Sequence, residues 1–444
     1  MFAFKKTIPL TPQEARKAEN NTILSACCSA MGDVPFVDAA IIILYANMMG
    51  ASDMFSMITT SLSPLAVGFL SLFATMISGK QRYQTTILEV TALSLLFFAA
   101  IVLAPFAGSW GVAILLISLS LFSICQTIYI SAWFPLLSSF LTQERRSLYL
   151  GKMRFSWQLC SASVLFILGI CIGKNPPIGH LQLAMLVSMA IFTLKLYFIA
   201  AVPTFEQPEG QGSVQTFSFQ DGLKKALENK PLTGFSVYMF ILNLAAYGTI
   251  PLVTLYMKKG LHAPDNIIVL ISSVTLAGML VGSFFSGRII SRYGVRFSLL
   301  AVHITYVLAN VILFTLGKGV MPDMMLYFSI AFVLFCYSFM FACSDIASSC
   351  EMMALATPGN TVVAMAFFNA FNYSGRGLSR LLTSLILGSG ALAAHWMLGD
   401  IPVTHYQTLF LLYAVCVLFA ASLLVIVPAI FPKGEYHYSI HGVK

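Results

Sequence analysis

Arg376 and Arg380 stand four residues apart in a stretch, 361–389, that holds no other charged side chain. At helical spacing they share a face with Asn369, Asn372 and Tyr373. Like charges at this spacing repel, and a guanidinium does not discharge by losing its proton. The pair therefore calls for an acidic partner or an anionic ligand. Asp345, in the preceding apolar stretch, is the acid expected for Arg376; Glu351 lies deeper inside and fits less well. Two chemistries are open. One is an ion pair tying two helices together. The other is a grip on the carboxylate or phosphate of a solute.

Two further acids, Asp33 and Asp38, fall inside the apolar stretch 22–48. On one continuous helix, residues five apart point about 140° from each other. Asp33 shares a face with Ser25 and Ser29 and is the one expected to meet a central space, leaving Asp38 to pair with a neighbouring helix. A carboxyl set among apolar side chains is a place where a proton can be taken up and released, so Asp33, Asp38 and Asp345 are the candidates for proton coupling. Lys195, close to the end of its own apolar stretch, is expected to extend its ammonium to the interface.

Uncharged polar and aromatic side chains form three more helical stripes: Gln126, Tyr129 and Trp133; Asn243 and Tyr247, followed by Pro251; and Tyr337, Phe341, Ser344, Asp345 and Ser348. Each could line a wet chamber or bond one helix to the next. The seven histidines are scattered, mainly over loops and ends, and no nucleophile motif or phosphate loop is present. Cys336, Cys343 and Cys350 recur every seven residues without a histidine or a CxxC pair. They read as small polarizable side chains at a helix contact. No metal site, cofactor or disulfide is expected, and neither is a catalytic residue.

The elements that carry these residues are membrane spans. Of 444 residues 58% are hydrophobic and 9% charged, far too few charges for a water-soluble surface. A span needs about 20 mostly apolar residues, and the apolar runs are continuous rather than alternating, which selects helices over a barrel. Twelve spans are predicted: 22–48, 54–78, 85–106, 111–140, 148–173 and 180–202, then 232–258, 265–290, 296–317, 323–355, 361–389 and 404–431. The first twenty residues are basic without an apolar core, so they are not read as a cleaved signal. Eighteen of the 25 Lys and Arg fall on the side of the N-terminus, four on the other side and three inside spans. The bias predicts both termini in the cytoplasm. It also accounts for the +8 net charge without nucleic acid. The basic residues of Glu144-Arg145-Arg146 and Gly151-Lys152-Met153-Arg154 read as an inner loop facing anionic lipid.

The chain divides in two. A polar stretch, 203–231, holds Gln207-Pro208-Glu209-Gly210-Gln211-Gly212 and an amphipathic piece, Phe219–Asn229, expected to lie on the membrane surface. Gly32-Asp33-Val34-Pro35 is echoed by Gly248-Thr249-Ile250-Pro251. Gly79-Lys80-Gln81-Arg82 is echoed by Gly294-Val295-Arg296, and the turn at Thr142 by that at Thr357, all at offsets of 215 or 216. Such repeats indicate duplication. The organisation expected is an N-terminal segment 1–21, a six-helix bundle 22–202, the linker 203–231, a second bundle 232–431 and a tail 432–444. Gly278, Gly282 and Ser286 give the eighth span a small-residue face, expected to meet the opposite bundle.

Gly287-Arg288-Ile289-Ile290-Ser291-Arg292-Tyr293-Gly294-Val295-Arg296 resembles the loop signature of the major facilitator superfamily, with Ser291 where the acidic residue would stand. In the first half only Gly79, Lys80 and Arg82 match, and Leu72 replaces the first glycine. The fourth-span arginine and fifth-span Gly-Pro-Gly-Gly run of many drug–proton antiporters in that superfamily are missing. The resemblance extends over the chain in span count, inside termini, central linker and half-length. It implies an all-α polytopic membrane protein of two pseudo-symmetric six-helix bundles, with spans 1, 4, 7 and 10 lining a central cavity. Ser29, Asp33, Gln126, Tyr129, Trp133, Asn243, Tyr247, Tyr337, Asp345, Asn372, Arg376 and Arg380 then become the expected cavity residues, and Gly287, Arg292, Gly294 and Arg296 the gating loop. The function expected is secondary active transport of a small organic solute, tilted toward an anion, by alternating access with a proton as candidate coupling ion. The partners expected are that solute and membrane lipid, around a monomer in a bacterial inner membrane. An integral-membrane transferase and a non-transporting sensor or scaffold are the alternatives.

Overall fold

Apolar runs without water to bond their backbone close on themselves as helices. The computed structural model describes residues 11–78, 83–138, 140–141, 143–203, 219–356, 361–398 and 401–426. Its first half comprises α1 (Pro12–Val37), α2 (Ala39–Met48), α3 (Asp53–Ser78), α4 (Tyr83–Leu103), α5 (Gly111–Ser138), α6 (Gln143–Cys171) and α7 (Ile178–Ala200). The second comprises α8 (Phe219–Glu228), α9 (Lys230–Ala246), α10 (Thr249–Leu255), α11 (Asp265–Thr315), α12 (Asp323–Leu355), α13 (Thr361–Ser389) and α14 (His405–Ile426). A two-stranded antiparallel hairpin, β1 (His395–Leu398) with β2 (Ile401–Thr404), joins α13 to α14. Gly79-Lys80-Gln81-Arg82, Thr142, Thr357, most of the 203–231 linker and the tail lie outside the described residues.

Eight stretches among the described residues are long and apolar enough to cross a bilayer, and two of them, Tyr83–Trp133 and Asp265–Thr315, are 51 residues long. At 1.5 Å per residue that is about 76 Å, twice a bilayer. Each is broken near its middle, the first by a 3-10 turn at Ala104–Trp110, the second at Gly294 with φ 80° and ψ 166°. The bent pair α1–α2 adds one crossing. Helix α13 is 29 residues long and carries two arginines, so its composition is more polar. The set is consistent with twelve crossings.

The expected signature loop proves helical. The chain from Gly287 to Tyr293 continues α11, and only Gly294 takes the positive φ that turns it back. Gly287, Arg292, Gly294 and Arg296 are all exposed. The amphipathic piece of the linker forms α8, which is exposed at Lys224 and Lys225 on one face. It packs against α9 and α13, Ala226 is buried, and Asn229 donates to the Leu355 carbonyl at 2.8 Å, closing the end of α12.

The halves meet mainly along two helix pairs, α3 with α13 and α6 with α11. A Cβ added at Gly68 would lie 2.5 Å from the Ser374 backbone nitrogen, so α3 and α13 approach at backbone distance. Gly278 and Gly282 do not join in. Their open side is filled by the backbone of Phe335 and Phe339, on α12 of the same half. The expected contact with the other half is carried instead by Gly169 against Leu270 and by Ser273 donating to the Ala162 carbonyl at 3.2 Å. The matched glycines 32 and 248 do the same job in each half. One admits Phe192 of α7, the other Tyr413 of α14.

Two ends can be distinguished: a proximal one, where the N-terminal helix begins and α8 lies, and a distal one, with the turns after α2 and α10. The distal end is sealed. Ile41 to Tyr45 of α2 are fully buried, and α2 packs on α3, α10 and α11. Asp53 accepts from Tyr406 at 2.5 Å and faces Lys259 at 3.6 Å. At the proximal end α5 and α12 do not pack along one another among the described residues.

Candidate substrate site

Asp33 sits two residues before Pro35, where α1 is about to break. Its two oxygens accept from Ser29 and from Gln126 of α5, both at 3.0 Å. Lys195 completes the cluster from α7. Its ammonium donates to Ser29 Oγ at 3.0 Å and lies 3.4 Å from the centroid of the Tyr129 ring. Lys195 is 0% exposed, which overturns the expectation that it reaches the interface. The cause is the packing of α1 and α4 on α7, with the Tyr129 ring of α5 laid over the ammonium. A buried ammonium persists where a carboxylate, a hydroxyl and a ring face compensate it. Trp133 stacks obliquely on Tyr129 with centroids 5.4 Å apart and is buried in the first half.

Asp38 is not on the helix of Asp33. The chain is extended there (φ −81°, ψ 129°), and the Asp38 side chain caps α2 by accepting from Ala40 N–H at 2.9 Å. Asp33 and Asp38 therefore do not sit about 140° apart on one helix, because the helix is broken between them. Its polar neighbours are Ser272 and Arg380 of the other half.

In the second half Arg376 and Asp345 meet at 2.7 Å. The Arg376 side chain is 6% exposed, that of Asp345 34%. Arg376 lies among the rings of Tyr373, Tyr247 and Phe341, at 4.9, 5.1 and 5.1 Å from their centroids. Arg380 lies 4.5 Å from the Tyr247 ring and donates to the Thr60 carbonyl of α3 at 2.5 Å. That carbonyl is free for a legible reason. Its helical partner would be the N–H of residue 64, and residue 64 is proline. Both guanidiniums keep a buried Nε without a partner.

Three expected cavity residues are turned into helix packing. Asn243 donates to Asn372 at 2.6 Å, both buried, and Tyr337 donates to the Ala246 carbonyl at 2.5 Å while stacking on Tyr306 at 4.2 Å. The Ala246 carbonyl is free because the helix breaks between α9 and α10. At these three positions the polar groups bond one helix to another. Arg154 departs from expectation in the opposite way. It belongs to α6, not to a loop, is half-buried, and stands within electrostatic range of Asp345 and Tyr373 in the other half. Its spacing from the apolar run on either side could have flagged it. Among the described residues no cluster of His, Cys, Asp and Glu is arranged to hold a metal.

The arrangement is thus a first-half cluster (Ser29, Asp33, Gln126, Tyr129, Lys195) and a second-half cluster (Tyr247, Phe341, Asp345, Tyr373, Arg376, Arg380), each assembled from helices of one bundle. No curated protein is similar enough in sequence to count as a relative. Solved structures share the fold. The nucleoside transporter NupG, in a mutant form, is 13% identical with a TM-score of 0.71, covering 94% of this chain and 100% of that one. A bacterial homologue of the iron transporter ferroportin, in an inward-facing state, is 14% identical with a TM-score of 0.63, covering 92% and 98%. The E. coli fucose:proton symporter FucP, a variant, is 13% identical with a TM-score of 0.57, covering 93% and 98%. At such identities the likeness is one of fold. The sequence profile of the Major Facilitator Superfamily matches residues 22–379. With its helical membrane fold, this makes the chain a multi-pass transport protein rather than a transferase, and a member of the Major Facilitator Superfamily.

Proposed function

We propose that this transporter is a secondary carrier of a small organic anion, held between the two clusters and passed across by alternating access. One observation supports the anion above all. Each guanidinium offers five N–H donors, and Arg376 and Arg380 each make a single hydrogen bond among the described residues, with Nε buried and unpartnered. A carboxylate or phosphate would supply the missing acceptors in pairs. The rings of Tyr247, Phe341 and Tyr373 keep the site apolar enough for those bonds to count. Asp33, buried beside Lys195 and Gln126, is the proposed proton site; Asp38 and Asp345 are its competitors. The Lys and Arg bias supports a cytoplasmic proximal end with both termini inside; the proposed location is a bacterial inner membrane. The two bundles 22–202 and 232–431 act as the rocking halves around the 203–231 linker, in a monomer.

The test is uptake into vesicles holding the purified protein, with a panel of carboxylates and phosphate esters set against neutral nucleosides and sugars. Anion uptake driven by a proton gradient and abolished by Arg376→Gln is the expected result. Uptake of a neutral solute that survives Arg376→Gln overturns the anion. The second reading, a neutral solute as named for NupG and FucP, draws on the fact that every base here has an acid in range: Lys195 with Asp33, Arg376 with Asp345, Arg380 with Asp38.

A further inference from the structure

Asp345 lies between two arginines from opposite halves. Arg376 of α13 holds one oxygen at 2.7 Å. Arg154 of α6 faces it from the first half and stands close enough to Asp345, Cys350 and Tyr373 to act on all three electrostatically. Depth agrees with this. Arg154 is 11 residues from the proximal start of α6 and Asp345 is 10 residues from the proximal end of α12. At 1.5 Å per residue these are about 16 and 15 Å, so the two side chains lie level with each other. Arg376 sits deeper, about 22 Å along α13. Arg154 makes no hydrogen bond or ion pair among the described residues. The Asp345 carboxylate is a third exposed, and α6 and α12, which belong to opposite halves, do not pack along one another among the described residues.

We propose that Asp345 exchanges partners during transport. In the open state it neutralises Arg376. When the anion takes Arg376, Asp345 is released to Arg154, and this new pair draws α6 toward α12 and closes the proximal side. Arg154 is a positioning residue in this scheme: it does not touch the solute but converts its arrival into closure. The charges balance: Arg376, Asp345 and Arg154 together carry one positive charge before binding, and the arriving anion neutralises it, leaving Arg376 paired with the anion and Arg154 with Asp345. A closing pair that forms mainly when the site is loaded keeps the closed population of the empty carrier small. The trigger rests on the anion reading above; the partner exchange does not.

The exchange can therefore be read without any solute. Nitroxides attached to p-acetylphenylalanine at Lys152 on α6 and Met353 on α12, both exposed, report the proximal gap by pulsed electron resonance and leave the nine native cysteines alone. Arg376→Gln frees Asp345 and should raise the short-distance fraction roughly threefold or more. Adding Arg154→Gln to that variant should abolish the rise, and Arg154→Lys should restore it. A purely structural Arg154 predicts the same distribution in Arg376→Gln with and without Arg154→Gln, which overturns the proposal. If Arg376→Gln does not fold, Arg154→Gln in the otherwise native chain decides: loss of the short-distance population supports the exchange, an unchanged distribution refutes it. An exchange that stands while anion uptake fails would indict the substrate reading alone.

Discussion

Lys195 shows how much one buried charge constrains its neighbours. Its ammonium reaches Asp33 through Ser29 and lies on the Tyr129 ring. Removing one partner of such a pair leaves the other uncompensated, at a cost of about 3–5 kcal/mol, whereas replacing both by apolar groups of similar volume is close to neutral. Asp33→Asn and Lys195→Met should each lower the thermal midpoint in detergent, and the double variant should recover most of the loss. Additive losses would mean that the two side chains do not interact. Arg376 and Asp345 pose a different question, since their pair has both a structural and a transport reading. Should Asp345→Asn, Arg376→Gln restore full flux, the pair is a strut and the anion site must be sought elsewhere. The expected outcome is a folded protein without flux, because the double change removes the group that holds the solute.

Helix by helix, the sequence was most informative where composition alone decides. Runs of about 20 apolar residues mark the spans, and Arg376 stood out because nothing else in 361–389 is charged. What a helix faces is another matter. Lys195 lies five residues before the end of α7, close enough to suggest the interface, and only the packing of α1 and α4 on α7, with Tyr129 over the ammonium, reveals that it is enclosed. The break at Asp38 is signalled by Pro35 three residues before it, but hydropathy alone reads 22–48 as one span and does not locate it. Gly278 and Gly282 announced a close approach but not to whom, and the structure gives α12 of their own half. The two possibilities differ in consequence. Filling a well-packed contact costs about 1–3 kcal/mol, so Gly278→Val should lower the stability of the purified protein. A face that met the opposite bundle would give lost flux with an unchanged thermal midpoint, and that result would contradict the packing described.

At the scale of the molecule, one end is closed and the other is not, so something must hold the distal end shut until the cycle demands otherwise. Beside the apolar packing of α2 on α10 and α11, two polar contacts cross between the halves there, both to Asp53 at the start of α3. Lys259 approaches it at 3.6 Å, but the two side chains are 43% and 27% exposed, and exposed pairs contribute about 0–1 kcal/mol. Tyr406 donates to the same carboxylate at 2.5 Å from a mostly buried position. A hydrogen bond to a charged group is worth about 1.5–3 kcal/mol. The magnitudes rank the variants. Tyr406→Phe should open the distal end more than Lys259→Ala, and Asp53→Ala, which loses both contacts, more than either. Spin labels at Ser52 and Lys318, placed as in the proximal experiment, give the readout. If Lys259→Ala matched Asp53→Ala, the exposed ion pair and not the buried hydroxyl would be the latch. The balance between the two gates would then respond to ionic strength, whereas a tyrosine latch leaves it nearly insensitive to salt.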